Sequence, residues 1–274
     1  MGELNLDQSG KSLFIFGFGY VAQFLSAALV KKGWKIGGTT RDEMKAMSLR
    51  RWGYEVSRDL KIPEGYTHVL YSIPPSSEID VSFLKDLSSL KWFGYLSATS
   101  VYGDHHGAWV NEGSLTNPVS VEGMNRLSAE LALKNLALPL HIFRLSGIYG
   151  PKRNALESVK AGKAQRIDKP GHFISRIHVD DIVRILEASL ENPIPGEVFN
   201  LADAHPCASR DVIEYACKLL KVDPPALIPY SNVLPDHIRR FYEENKRVDG
   251  GKALKTFGIS LKYYSYREGL GSLI

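Results

Sequence analysis

The chain has 274 residues, of which 44% are hydrophobic and 23% charged, with a formal net charge of +4. That length holds one large domain, or a domain with a smaller lobe, and the balance is that of a globular protein. The basic residues are scattered, which excludes the basic stripe of a nucleic-acid binder. The two cysteines, Cys207 and Cys217, point to a reduced, cytoplasmic protein rather than a disulfide scaffold.

In chain order, Ser12 to Val30 carries no charge and has a lysine on either side, at a length near the ~20 apolar residues of a membrane span. Gly17, Gly19 and Gln23 interrupt it and its pattern changes halfway, so no membrane or signal segment is expected. SLFIF (12–16), WKIGGTT (34–40), YEVS (54–57), HVLYSI (68–73), FGYLSA (93–98) and LHIFRLS (140–146) read as strands. Helical patterns lie between them near 20–32, 42–51, 79–91 and 120–137. Strands alternating with helices give a parallel sheet with helices on both faces. Beyond Pro151 the alternation stops. HVDDIVRILEASL opens a helix with two aspartates in its first turn, EVFNLA (197–202) is a further strand, and SRDVIEYACKLL (209–220) is a helix with serine at the cap. The proline-rich stretch 222–236 has no period and reads as a loop. The expected class is α/β: a doubly wound sheet domain over 11–150, to which 177–202 returns. A smaller C-terminal substrate lobe takes 151–176 and 203–274 and covers the carboxyl edge, where open α/β sheets bind ligands.

GFGYVA (17–22) follows the first strand and opens the first helix. In this G-x-G-x-x-A form Gly17 permits the tight turn, Gly19 lets the backbone approach a pyrophosphate, and Ala22 keeps helix and strand close. Phe18, Tyr20 and Val21 complete a loop whose helix N-terminus offers N–H groups to phosphates. The alternative is a glycine-rich turn that binds nothing. At the end of the second strand stand Thr39, Thr40 and Arg41. An arginine there suits a 2′-phosphate, so NADP is preferred; Asp42 and Glu43 keep NAD open, because a shift of one residue restores the acid that binds ribose. Asp59 and Leu60 end the third strand, near the adenine position. Ser72, Ile73 and Pro74 end the fourth, near the middle of the cofactor.

Further stretches fall into one pattern: TSVYG (99–103), RLSGIYGP (144–151), IHVDDI (177–182), VFNLAD (198–203) and KRVDGGKALKTFGI (246–259). In that order they resemble the extended short-chain dehydrogenase/reductase family, in its NAD(P)-dependent epimerase/dehydratase branch, over about residues 12 to 272. The resemblance implies a Rossmann domain with a substrate lobe, NADP or NAD in the cleft, and a small-molecule substrate such as a nucleotide sugar. It also implies a homodimer built through two helices, one beginning near Val119.

The departures mark an atypical subgroup with degenerate catalytic residues. The family loop is G-x-x-G-x-x-G; Phe16 stands at its first glycine, Gly19 at its second and Ala22 at its third. The family's serine or threonine, five residues before the glycine of VYG, is Ala98, flanked by Ser97 and Thr99. A strand alternates faces, so neither hydroxyl falls in place automatically. The family's Tyr-x-x-x-Lys falls on PVSVEGMNRLSAE (118–130), where Arg126, Ala129 and Glu130 match the lysine end and Glu122 takes the tyrosine position. The resemblance thus assigns Thr99, Glu122 and Arg126 to the reaction centre, with Ser97 and Arg126 also toward the cofactor. A tyrosine of pKa about 10 can be lowered into service as a base, whereas a glutamate near about 4.3 is a weak one unless burial raises it. The plain alternative is an i,i+4 salt bridge between Glu122 and Arg126, worth ~0.2–0.5 kcal/mol. Gly147 replaces the asparagine found before YGP in relatives, and Thr99–Ser100 replace the Asp-Glu of dehydratases, which disfavours dehydration and leaves the nucleotide sugar open.

Tyr102, His105 and His106 are alternative proton donors. His178, Asp180 and Asp181 are a helix start rather than a metal site, and no metal is expected. Lys152, Arg153, Arg176, Arg239 and Arg240 are candidates to receive an acidic substrate, or else surface charge. Glu112 is expected to be structural. Two functions stay open: an atypical NADP-dependent epimerase or oxidoreductase, and an inactive NAD(P)-binding sensor or partner-binding module.

Overall fold

The run SLFIF has no polar face to turn to water. Ser12–Phe16 is accordingly a strand, β1, buried along its whole length, as a central parallel strand must be. The computed structural model describes residues 10–75, 84, 87, 89–231, 235, 239 and 241–274; the helix expected over 79–91 falls largely outside them. From β1 the chain turns into α1 (Tyr20–Val30), then β2 (Lys35–Thr39), α2 (Glu43–Arg51), β3 (Glu55–Ser57), β4 (His68–Tyr71) and β5 (Trp92–Ala98). It continues through β6 (Trp109–Val110), α3 (Val121–Lys134), β7 (Leu140–Leu145), β8 (Gly147–Tyr149), α4 (Ala155–Lys160), β9 (Arg166–Asp168) and β10 (Arg176–His178). It ends through α5 (Val179–Glu191), β11 (Val198–Leu201), α6 (Ser209–Leu220), β12 (Leu227–Pro229), β13 (Arg247–Val248), α7 (Gly251–Phe257) and α8 (Tyr266–Gly271).

Seven strands form one sheet in the order β11-β7-β5-β4-β1-β2-β3. The chain winds outward from β1 to β3, then restarts beside β1 at β4 and winds the other way: the doubly wound α/β order. β1 is parallel to both β2 and β4, with Phe16 opposite Thr39 on one side and Tyr71 on the other. This register brings the ends of β1, β2 and β4 level. The uncharged run 12–30 is therefore a strand plus an 11-residue helix, and no helix among the described residues is long and apolar enough to cross a membrane.

By compactness the chain divides into two units. The first takes the residues up to Ser97 together with Ser128–Phe143 and Val183–Val198. Its core stacks Phe14, Phe16, Tyr71, Phe93 and Tyr95 with Ala129 and Leu133 of α3. Phe14 and Phe16 meet edge to face at 5.2 Å, the arrangement aromatic quadrupoles favour. The second unit takes Ala98–Leu127, Arg144–Ile182 and Phe199–Ile274. It contains three two-stranded parallel ladders, β10 with β8, β12 with β9 and β13 with β6. One of its cores joins Tyr149, Leu156, Val212, Ala216, Tyr266 and Leu270. The stretch expected as a loop over 222–236 contains β12, which pairs Ile228 with Ile167. Three residues carry too little period to be read as a strand. Cys207 and Cys217 are both free and buried.

Candidate functional site

Each unit contains a cavity lined by several residues the sequence points to. In the first unit the cavity has a volume of about 460 Å³ and opens where the chain leaves β1 and β4, the switch point of a doubly wound sheet. Gly17 has φ +83°, and a Cβ there would sit 2.9 Å from Ile73, so the turn needs glycine. Its N–H donates to Thr39 Oγ1 at 3.2 Å, and that of Phe18 to the Thr39 carbonyl at 3.1 Å, which fastens the loop to β2. Gly19 is the N-cap of α1 and supplies no side-chain cap, which leaves the first-turn N–H groups for another acceptor. Gly17, Phe18 and Gly19 line the cavity on this side, and Ser72, Ile73 and Pro74 on the other. The Phe18 ring is buried and stacks on Tyr54 with centroids 5.8 Å apart, so its phenyl group is turned into the protein.

Thr39, Thr40, Arg41 and Leu60 form the remaining wall, and the structure adds Arg58, which the sequence reading passed over. Arg58 Nη2 donates to the Arg41 carbonyl at 3.3 Å, tying the end of β3 to the end of β2. The acids that kept NAD open are both engaged elsewhere. Asp42 accepts from the Lys45 N–H at 3.1 Å as N-cap of α2, and Glu43 pairs with Arg50 at 3.0 Å. Five residues expected at the cofactor stand outside these walls: Tyr20, Val21, Asp59, Ser97 and Arg126. Tyr20 and Val21 lie in the first turn of α1, with Val21 buried. The Asp59 N–H donates to Ser57 Oγ at 3.0 Å. Ser97 is buried and gives its hydroxyl to Glu130 at 2.6 Å.

The second unit's cavity has a volume of about 480 Å³. β5 ends at Ala98 and the chain tightens into a 3₁₀ turn over Thr99–Tyr102, which breaks the strand's alternation and brings Thr99 and Ser100 to the cavity. Gly103, at φ +70°, closes this turn against Asn117: a Cβ there would lie 1.9 Å from the Asn117 carbonyl oxygen. Gly123 lets the start of α3 come up to the same turn, since a Cβ would lie 2.7 Å from the Ser100 carbonyl oxygen. Glu122 is thereby placed on the wall with Thr99 and Ser100. Arg126, one turn along α3, is half-buried and lines neither cavity.

The pair of opposite charges in this cavity joins Lys246, which opens the KRVDGGKALKTFGI stretch, to Glu244, which lies just before it and in no recognised motif. Lys246 Nζ donates to Glu244 Oε2 at 2.5 Å and to the Gly103 carbonyl at 2.8 Å, and Ser120 Oγ donates to Glu244 Oε1 at 3.2 Å. The β13–β6 ladder holds this segment beside the loop that follows Tyr102. For Glu244 the sequence offered only the charged run EENK, which is common on solvated surfaces.

The alternative proton donors lie elsewhere. Tyr102 has no exposed surface; its hydroxyl donates to Asn200 Oδ1 at 2.8 Å and accepts from Arg144 at 3.0 Å. Burial raises its pKa. His106 pairs with Asp104 at 3.0 Å, and His105 Nε2 meets the Leu115 carbonyl at 3.2 Å. Glu112 accepts the Asn200 N–H at 2.7 Å, a structural role. His178 Nδ1 accepts the Asp180 N–H at 3.1 Å, and Asp181 accepts the N–H groups of Lys262 and Tyr263, so this trio organises the start of α5 and the approach to α8. Arg176 donates to the carbonyls of Ile174 and Cys207. Lys152 and Arg153 are exposed in the turn after β8, and Arg240 lies outside the described residues.

No family model matches the chain. A conserved protein of unknown function from Silicibacter pomeroyi DSS, whose structure is solved, is 41% identical; the match covers 96% of this chain and 98% of that one, with a TM-score of 0.91. Protein YeeZ of Escherichia coli (strain K12) is 27% identical over 278 residues, covering 92% of this chain and 96% of its own. UDP-glucuronic acid 4-epimerase from Bacillus cereus, solved in complex with NAD, is 19% identical with a TM-score of 0.75, over 96% of this chain and 95% of that one. At that identity the last likeness is one of fold.

Proposed function

We propose that this chain, which belongs to one family with the Silicibacter pomeroyi protein, is an atypical NADP-dependent oxidoreductase or epimerase acting on a small polar substrate. The observation that carries the reading is the end of β2. Its two acids are committed to capping α2 and to Arg50, while Arg41 and Arg58 stand on the cavity wall. A 2′-phosphate there meets two guanidinium groups, whereas a 2′-hydroxyl finds no open carboxylate among the described lining residues. The residues fit the dinucleotide as a whole: a glycine turn, an uncapped helix N-terminus for the pyrophosphate, and a cleft at the switch point. Arg126 belongs to the same reading as the group that holds ribose hydroxyls in place of the family's lysine.

When bound, the nicotinamide supplies hydride transfer; the chain must supply the proton. Glu122 is our choice for that task. It shares the second unit's cavity with Thr99 and Ser100, and its carboxylate is open there to exchange a proton with a bound substrate. The position of Glu122 where relatives carry tyrosine also favours a second reading, an NADP-binding sensor without turnover. Fluorescence titration with NADPH and NADH tests the cofactor. NADPH should bind tighter by about tenfold or more, and Arg41→Ala and Arg58→Ala should each weaken NADPH by about tenfold while sparing NADH. Equal affinities defeat the preference for NADP, and no binding of either defeats both readings. Binding without oxidation or reduction of the nicotinamide on any substrate selects the sensor.

A further inference from the structure

The second unit's cavity has little to offer an anion. Its one described lining cation, Lys246, is matched by Glu244 at 2.5 Å, and the two side chains are only 10% and 15% exposed. Two of the three ammonium N–H groups are given to Glu244 and the Gly103 carbonyl, and the second Glu244 oxygen is held by Ser120. Glu122, the other lining acid, is exposed, and among the described residues no hydrogen bond or ion pair engages its carboxylate. Two carboxylates therefore face one ammonium. The amino end of α3 adds a partial positive charge of about +0.5, but Glu122 in the first turn already meets it. Arg247 is not among the lining residues: it is held over the rings of Trp109 and Phe173 and donates to the Gly107 carbonyl, which leaves Phe241 as the open aromatic face. The rest of the lining is uncharged: hydroxyls, Gly147, the aliphatic Ile174 and Val248, and two aromatic rings, of which Phe241 is 58% exposed.

A phosphate or carboxylate entering this cavity would shed water against two carboxylates and gain no unpaired cation. A protonated amine would gain the Glu122 carboxylate and an aromatic face, both of which favour cations. We infer that this cavity takes its substrate through a protonated amine, and that nucleotide diphosphate sugars are not its substrates. The inference rests on reading this cavity as the substrate site, yet it is separable from the cofactor assignment because the ligand can be measured without turnover.

The test is calorimetry with the full-length protein, with and without NADPH, on small polar amines, each paired with its N-acetyl derivative and its phosphate ester: glucosamine, N-acetylglucosamine and glucosamine 6-phosphate, together with other amino sugars and amino polyols, and UDP-glucose. The amines should bind about tenfold or more tighter than their acetylated partners, and UDP-glucose should bind more weakly than any of them. Glu122→Gln should abolish that preference, and Glu122→Lys should reverse it toward the phosphate esters, with NADPH affinity and Tm unchanged in both. Preference for UDP-glucose, the absence of amine preference throughout the panel, or a preference that survives Glu122→Gln overturns the inference. Loss of NADPH binding with amine preference retained instead overturns the cofactor reading alone.

Discussion

The Tyr102 phenol sits between the guanidinium of Arg144 and the amide of Asn200, and Arg144 also lies 4.9 Å over its ring. Asn200 in turn holds the Asp249 carbonyl and, through its N–H, Glu112. A tyrosine whose hydroxyl both donates and accepts inside the core is structural, whatever motif it occupies. Tyr102→Phe removes one acceptor from a buried cation and one donor from a buried amide, which should cost about 1–3 kcal/mol by urea unfolding and leave nucleotide affinity alone. Unchanged stability with lost turnover would return Tyr102 to the list of proton donors. At this scale the sequence separated Thr99 from Ser97 only as alternatives, since period-2 alternation cannot say where a strand stops. The 3₁₀ turn decides: Thr99 reaches a cavity and Ser97 reaches Glu130.

Among the elements, β2 shows how a glycine pair can be a packing device. A Cβ on Gly37 would lie 2.2 Å from the Tyr66 hydroxyl, and one on Gly38 2.3 Å from the Ile15 carbonyl oxygen and 2.6 Å from the Phe18 ring. The strand is thinned so that two aromatic rings can lie on it, one of them belonging to the glycine turn after β1. Gly38→Ala meets backbone that cannot move cheaply and should destabilise by about 1–3 kcal/mol or more. Gly271→Ala, at the end of α8 with nothing within 4 Å of the new methyl group, should be neutral or stabilise by up to about 1 kcal/mol. Thermal unfolding of the pair checks the account; equal shifts would sink it. The glycines of the loop were legible as a local motif, whereas those of β2 were not, because the rings they accommodate come from elsewhere in the sequence.

Over the whole molecule, buried histidines should govern acid stability. Burial pushes His68, His141 and His172 down to about 4 from the ordinary 6.5, and lowers His178 in the same direction. Between those limits the unfolded chain binds more protons than the folded one, so the stability these groups contribute is present above pH 6.5 and is lost as pH falls toward 4. Asp203 opposes them: burial raises it to about 7, so the folded state holds its proton over the same range. Each group contributes at most about 1.4 kcal/mol per pH unit, and three histidines outweigh one aspartate. Tm should therefore fall steadily from pH 6.5 to 4.5. A flat or rising Tm over that range would mean the histidines are charged in the folded protein.

The sequence by itself determined the seven strands of the main sheet, the glycine turn after β1, the arginine after β2 and an acid in the first turn of α3. Those are local properties: an apolar run, a period, a residue type at a turn. Only the tertiary structure decided that Asp42 and Glu43 are committed elsewhere, that Arg58 joins Arg41, and that Glu244 comes to Ser120 from 124 residues away. The net charge of a cavity is a sum over residues distant in the chain, and no periodicity encodes it. Folding alone brings those charges together, and with them the chemistry a substrate must have.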